Sequence, residues 1–410
     1  MNEESFLLEN FRRFYKKNPV TEPPWPEQRE FGIGGFGKKI SQRHLAFGSL
    51  SEFNLFLQKE APLFVSSSVS YYARPASRPM QAKGWLGADL VFEFDSDDIK
   101  TDCKREHDSW ACKNCGTTGK GSVQNCSNCG EGVKAEEWVC PECLSAVKKQ
   151  AVVLLDWIQN DLGLDDGIAL NFSGSKGFHV HVRSGSVKSL SPAGRIELLD
   201  FLTGHGLELE SVGFAEKNKS VLGPRLENAK GWNRRILEKT LGLILNGSAE
   251  QIAVAGNISV RTAEKIVLQK QSAAEQIKKG FFPAVTASKS NLFWKSVFES
   301  AIGELKLDVD RQTSVDVYKI VRVAGTLHGS TGLSAKAISI DELAGFDGLT
   351  QGVVFDESPV ELAVSKTPRF WLKNQWWGPF DNETQKLPLY AAVFLVGRGK
   401  ATLGQSAEKK

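Results

Sequence analysis

The chain has 410 residues, of which 41% are hydrophobic and 24% charged, an ordinary globular composition with apolar material for a large core. Its apolar runs, such as AVVLLDWI at 151–158, are far too short to span a bilayer, and the start MNEESFLLENFRRFYKK has no secretory-type apolar core, so a soluble, intracellular, cytoplasmic protein with no membrane partner is expected. A formal net charge of +3, from 51 basic and 48 acidic residues, neither demands nor excludes a nucleic-acid partner, because a local basic groove can hide in a balanced total.

Residues 5–17 predict a short amphipathic helix, followed by the Pro-rich turn TEPPWPEQ. Residues 85–95 alternate as a strand that runs into VFEFDSDD at 91–98. Side chains at i and i+2 share a face of a strand, so Leu90, Phe92 and Phe94 should enter the core. Glu93, Asp95 and Asp97 should then line the other face, with Asp98 turned away. Neighbouring carboxylates on one face do not stay ionised cheaply without a cation, and hard oxygen ligands suit Mg²⁺ or Mn²⁺. Taken alone such a motif is weak, because most are solvated turns.

The seven cysteines fall between 103 and 143: Cys103-x3-His107, Cys112-x2-Cys115, Cys126-x2-Cys129 and Cys140-x2-Cys143. Each CxxC pair can place two thiolates on one zinc. Cys112, Cys115, Cys126 and Cys129 make an inner ribbon-like set, and Cys103, His107, Cys140 and Cys143 remain as a complete outer set. Closing the inner loop draws the outer ligands together and lowers the entropy cost of joining them. Two structural zinc ions per chain are expected.

A helix follows at 144–160, with Leu144, Val147, Ala151, Leu154 and Ile158 at three/four spacing and Gly163 as its stop. ALNFSGSKGFHVHVRSG then predicts a hairpin. Its turn offers Ser173, Gly174, Ser175 and Lys176 as an anion nest that is not a Walker A loop, with His179 and His181 alternating outward beyond it. Residues 231–300 are helix-rich without obvious chemistry. The segment LDVDRQTSVDVYKIVRVAGTLHGSTGL supplies Asp308, Asp310 and Asp316, any of which could complete a metal site, and then Arg322 and His328 as phosphate ligands. LPLYAAVFLVGRGKATL closes the chain before the tail GQSAEKK, for which disorder is expected.

Taken in order, VFEFDSDD, a Cys/His module, SGSKGFHVHV and KIVRVAGTLHGSTGL resemble the catalytic (small) subunit of archaeal-eukaryotic DNA primases across nearly the whole chain. REFGIGGFGKK…QRHLAF and YAAVFLVGRGKA also look like family segments. The resemblance implies an α+β fold with a mixed-sheet catalytic core at 1–102, 144–230 and 301–410, a zinc-binding module at 103–143 and a helical insert at 231–300. It implies a nucleotidyltransferase that makes primers on a single-stranded DNA template from NTPs or dNTPs, using two Mg²⁺ or Mn²⁺ ions, with a large primase subunit as partner. Asp95, Asp97 and Asp310 would hold the metals. Ser173, Gly174, Ser175, Lys176, His179, Arg322 and His328 would bind the nucleotide. Cys103, His107, Cys140 and Cys143 map to the family's zinc ligands, whereas the inner tetrad occurs only in some members. Arg43, His44, Arg74 and Arg78, near Tyr71, Tyr72 and Trp85, are candidate template contacts. Rival readings are a repair or mobile-element primase-polymerase, a Mn²⁺-dependent glycosyltransferase, and a non-catalytic zinc-ribbon nucleic-acid binder.

Overall fold

Asn2 opens the first helix, α1 (Glu3–Lys17), by accepting a hydrogen bond from the Ser5 N–H, and the acidic first turn and basic last turn both suit the helix dipole. The computed structural model describes residues 2–164, 166–217, 220–285, 290–309 and 311–404. These divide into two compact units: 1–152, 164–196 and 308–410, and 153–163 with 197–307.

The first unit carries two four-stranded sheets. One contains β1 (Phe31–Gly35), β2 (Lys38–Leu45) and β3 (Phe64–Ser68), in the order Ile320–Arg322, β3, β1, β2. A short pair, β4 (Ser70–Tyr72) and β5 (Trp85–Ala88), leads into β6 (Leu90–Asp95). After β6 comes the cysteine module, with the helical turn α2 (Lys104–His107) and the sheet of β7 (Ser109–Cys112), β8 (Thr118–Lys120) and β9 (Val133–Glu136). The helix α3 (Pro141–Asn160) precedes the hairpin β10 (Ile168–Phe172) and β11 (Gly177–Val182). The second four-stranded sheet runs Ala337–Ile338, β10, β11, β6. The α+β class expected from the sequence holds, and the strand pairings among the described residues are antiparallel.

The expected side-chain period of β6 is present: Leu90, Phe92 and Phe94 are buried. Its other face is also covered at the start, where Val91 packs with Val69, Ala88, Val317 and Val321, and turns polar only at Glu93 and Asp95. The five spaced apolar residues of α3 are buried as well.

The single strand expected at 85–95 is two strands, broken at Asp89. The break falls at a buried, charge-paired carboxylate. Asp89 is buried, pairs with Arg29 at 2.9 Å and accepts from the Tyr71 hydroxyl at 2.6 Å, while Arg195 donates to the Asp89 and Ala88 carbonyls. Burial alone would raise the Asp89 carboxyl, but His181 and Arg29 outweigh it and hold it at about 2. This is below its ordinary 3.8, so the stabilisation is full above pH 3.8 and is lost as pH falls toward 2. Asp89→Asn should therefore destabilise the protein at pH 7 by about 3–5 kcal/mol, the cost of breaking a buried pair. It should also remove part of the stability loss between pH 4 and 2; urea melts at pH 7 and pH 3 measure both.

The second unit holds the helices Gly231–Asn246, Ala249–Gly256, Val260–Leu268, Lys270–Lys278 and Ser290–Leu305, and a small sheet of Ala215–Lys217, Ser220–Leu222 and Phe281–Phe282. Ser248 and Ser259 cap two of these helices, and Phe214, Phe282, Trp294 and Phe298 form an aromatic core. Among the described residues no helix is long and apolar enough to cross a membrane.

Candidate active site

The site begins on the β6–β11 ladder. Register pairs Gly177 with Asp95 and His179 with Glu93, which brings the end of the acidic strand beside the start of the basic one. A Cβ at Gly177 would overlap Asp95 Oδ1 and the Phe94 carbonyl, so only glycine lets the two strands meet at that carboxylate. Gly177→Ala should cost about 1–3 kcal/mol by overpacking, read as a lower melting temperature. The turn itself is closed by Ser173, whose Oγ accepts from the Ser175 and Gly177 N–H groups at 3.3 and 3.1 Å.

β6 ends at Asp95, and the next three residues turn, with the Asp98 N–H donating to the Asp95 carbonyl. Asp97 therefore reaches the site through this turn, not through the pleat expected from the sequence. Its carboxylate pairs with Lys176, which also pairs with Glu137 at 2.9 Å. Burial pushes the Lys176 ammonium down to about 8, against the pull of Asp95.

The opposite wall comes from the other sheet and the turn after it. Arg322 lies in the strand paired with β3, and its guanidinium sits 5.1 Å over the Phe64 ring. The His328 ring meets the same phenyl edge-on at 5.3 Å. The 328–335 turn docks directly on the Gly174 turn: Thr331 Oγ1 donates to the Gly174 carbonyl at 2.6 Å. Gly174 has φ +77°, and a Cβ there would lie 3.0 Å from the Leu333 oxygen and 3.1 Å from His328 Cβ. Its freedom thus serves contact between two turns of the protein. Burial, and then Arg322, hold His328 well below 6.5, while burial lowers Arg322 to about 10.

Asp95, Ser173, Ser175, Lys176, His179, Arg322 and His328 all line one cavity of about 540 Å³, within the range of small-molecule sites. Asp97 is outside the lining and touches it through Lys176. His179 is buried, 3.8 Å from Glu93, with its Nδ1 unpartnered. Glu93 is held by Lys319 at 3.1 Å and by the Thr313 hydroxyl at 2.9 Å. Asp310 lies outside the described residues, but the helical turn Arg311–Val315 that follows it contains Thr313 and so approaches β6. Asp308 and Asp316 are exposed and away from the lining, and Asp316 accepts from the Tyr318 N–H in a local turn.

Both cysteine tetrads close as the spacing predicts: all four ligand atoms of each set lie within 4.8 Å of one another. Sulfur separations of 3.4 Å (Cys112–Cys129, Cys103–Cys143), 3.6 Å (Cys115–Cys126) and 3.8 Å (Cys140–Cys143) approach the roughly 3.8 Å edge of a tetrahedron with Zn–S near 2.3 Å. His107 turns Nε2 to Cys143 at 3.3 Å because Asp108 engages Nδ1 at 2.8 Å, the carboxylate support usual for a metal-bound imidazole. Both sets therefore suit zinc.

The outer tetrad is wired to the cavity. Asp108 also accepts from the Trp138 N–H at 2.9 Å, and the residue before Trp138 is Glu137, the partner of Lys176. Arg398 stacks 4.2 Å over Trp138 and donates to the Glu137 carbonyl. Sequence reasoning missed Glu137, Lys39, Lys319 and Arg398, all in the cavity lining. Lys39 and Arg398 do lie in FGIGGFGKK and LVGRGKA, two segments that look like family segments in the sequence.

The structure divides two groups that the sequence sets together. His181 does not share the cavity with His179; it is buried 3.9 Å from Asp89. Of the proposed template patch, Tyr71 and Tyr72 are buried and Arg43 and His44 engage the buried Glu30 at 2.9 and 3.4 Å, whereas Arg74, Arg78 and Trp85 are exposed.

A family model of the DNA primase small subunit matches residues 130–340, just over half of the chain. The chain is 28% identical to the DNA primase small subunit PriS of Methanococcoides burtonii, over 97% of this chain and 98% of that one. It is 29% identical to PriS of Methanothrix thermoacetophila and 27% identical to PriS of Picrophilus torridus, over 98% of both chains in each case. A cavity lined by carboxylates and basic side chains, beside a cysteine module, is the setting of these matches. The chain belongs to the DNA primase small subunit family.

Proposed function

We propose that the chain catalyses primer synthesis on single-stranded DNA, joining NTPs or dNTPs by nucleotidyl transfer with two divalent ions, and that it works with a large primase subunit. The observation that carries this reading is the gathering of Asp95 with Ser173, Ser175, Lys176, His179, Arg322 and His328 around one cavity.

The donor set fits divalent cations. Asp95 and Asp97 offer hard oxygen, and the Lys176 ammonium already stands as a cation beside both carboxylates. Asp95, Asp97 and Asp310 would hold Mg²⁺ or Mn²⁺, which when bound lowers the pKa of the attacking 3′-hydroxyl and neutralises the triphosphate. Lys176 is freed for phosphate once Asp97 has another cation to hold. Arg322 remains charged at pH 7 despite its lowered pKa, and it supplies a fixed positive charge to the leaving pyrophosphate. His328, neutral at that pH, serves as an N–H donor and not as a cation. The Ser173–Gly177 turn orients the phosphates. The two tetrads would each hold one structural zinc, about two per chain.

The direct test supplies single-stranded DNA and labelled NTPs or dNTPs with Mg²⁺ or Mn²⁺ and scores unprimed product; no product under any combination refutes the reading. Lys176→Ala should raise the KM for nucleotide about ten-fold or more, since a charge-assisted hydrogen bond is worth about 1.5–3 kcal/mol. An unchanged KM would remove Lys176 from the nucleotide site.

A further inference from the structure

A second, larger cleft of about 1490 Å³ adjoins this cavity, and no part of the mechanism uses it. One wall is the β7–β9 sheet of the cysteine module, and the other is the segment from Lys366 through the hairpin of Phe370–Leu372 and Gln375–Trp377. Arg398 lines both the cleft and the nucleotide cavity. We propose that this cleft seats the single-stranded DNA template, delivering it to the nucleotide cavity past Arg398. The proposal deepens the primase reading and rests on it.

Three observations carry the assignment. The first is charge. Lys120, Lys134, Lys366 and Arg369 are exposed along the cleft, and none is in an ion pair among the described residues. Of the four acids there, Glu136 pairs with Lys400 at 2.6 Å and Asp108 with His107, while Glu106 and Glu142 are exposed at the outer-tetrad end of the cleft, next in sequence to its ligands. Unpaired cations in a groove follow a phosphate backbone.

The second is stacking. Trp376 is 46% exposed, and Arg369 lies 4.9 Å over its ring, leaving a π-face backed by a cation. Trp371, its cross-strand partner, meets it edge-on at 5.4 Å and braces it. Such a platform accepts any base, as a template contact must.

The third is continuity. A templating base has to pair with the nucleotide in the 540 Å³ cavity, so its strand must pass close by. The cleft meets that cavity at Arg398, whose Nε is buried without a partner. A protein partner such as a large subunit fits less well, because the cores of protein interfaces are depleted of lysine.

The test is steady-state extension on a single-stranded DNA template by Trp376→Ala and by the double variant Lys366→Ala/Arg369→Ala. All three side chains are exposed, and an unchanged zinc content and melting temperature confirm the fold. Each variant should raise the template KM roughly ten-fold, with the nucleotide KM and kcat within about two-fold of the parent. The double variant should also flatten the salt dependence of template KM by about 1.4 log units per log unit of salt, about 0.7 per phosphate contact. Unchanged template KM and salt slope overturn the assignment. So does loss of large-subunit binding with template KM intact, which would make the cleft a protein seat. No incorporation by the parent chain removes the primase reading and the cleft assignment together; the other two failures leave incorporation standing.

Discussion

Asp95→Asn should abolish nucleotide incorporation, by about 10³-fold or more, while the protein keeps its melting temperature and its zinc. The amide occupies the same space against Gly177, so the β6–β11 ladder survives. What it removes is the charge at the end of that ladder. Losing an anionic ligand for ions that stabilise several kcal/mol of developing charge translates into that rate loss. Asp97→Asn should act in the same direction and would also release Lys176 from one of its two carboxylate partners. Incorporation assays with Mg²⁺ and Mn²⁺, beside thermal melts, make the measurement. Near-normal synthesis by the Asp95 variant would refute the two-ion reading.

Cys143→Ser should drop the zinc content from about two to about one and destabilise the module. Cys143 is the hub of the outer tetrad, 3.4 Å from Cys103, 3.8 Å from Cys140 and 3.3 Å from His107 Nε2, and it is 1% exposed. A serine hydroxyl is a poor zinc ligand, and structural zinc binding is worth about 10–16 kcal/mol of folding free energy in small modules at pH 7. The consequence extends beyond the metal. His107 orders Asp108, Asp108 holds the Trp138 N–H, and Glu137 beside it holds Lys176. The nucleotide KM should therefore rise with the loss of zinc. Cys115→Ser, in the inner tetrad, should lose one zinc with the nucleotide KM unchanged. Elemental analysis and nucleotide titration separate the two; a Cys143→Ser protein with two zincs and an unaltered KM would refute the coupling.

The parts of this molecule legible without coordinates are those whose geometry is set within a few residues. Each CxxC pair needs only a tight turn, and the nesting of the two pair sets left one consistent assignment, which the tetrads follow. The hairpin from Ile168 to Val182 follows from two apolar runs and a Gly-Ser turn. The burial of Leu90, Phe92 and Phe94 follows from a period of two. The chemical types in the cavity were equally plain, since carboxylates, a Gly-Ser-Lys turn, an arginine and a histidine serve few purposes together.

Folding decided which of these groups share a cavity. His179 and His181 share a strand face, their rings 6.5 Å apart, yet one lines the 540 Å³ cavity and the other is buried beside Asp89. Asp97 comes to Lys176 because the strand stops at Asp95 and the chain turns. Tyr71 and Tyr72 look like stacking residues in sequence but are buried, Tyr71 beneath Arg29. Glu137 and Arg398 are 261 residues apart and meet where the Arg398 guanidinium donates to the Glu137 carbonyl. Sequence spacing governs local turns and periodicity; contacts across hundreds of residues depend on how the sheets and loops pack, and no local pattern encodes that packing.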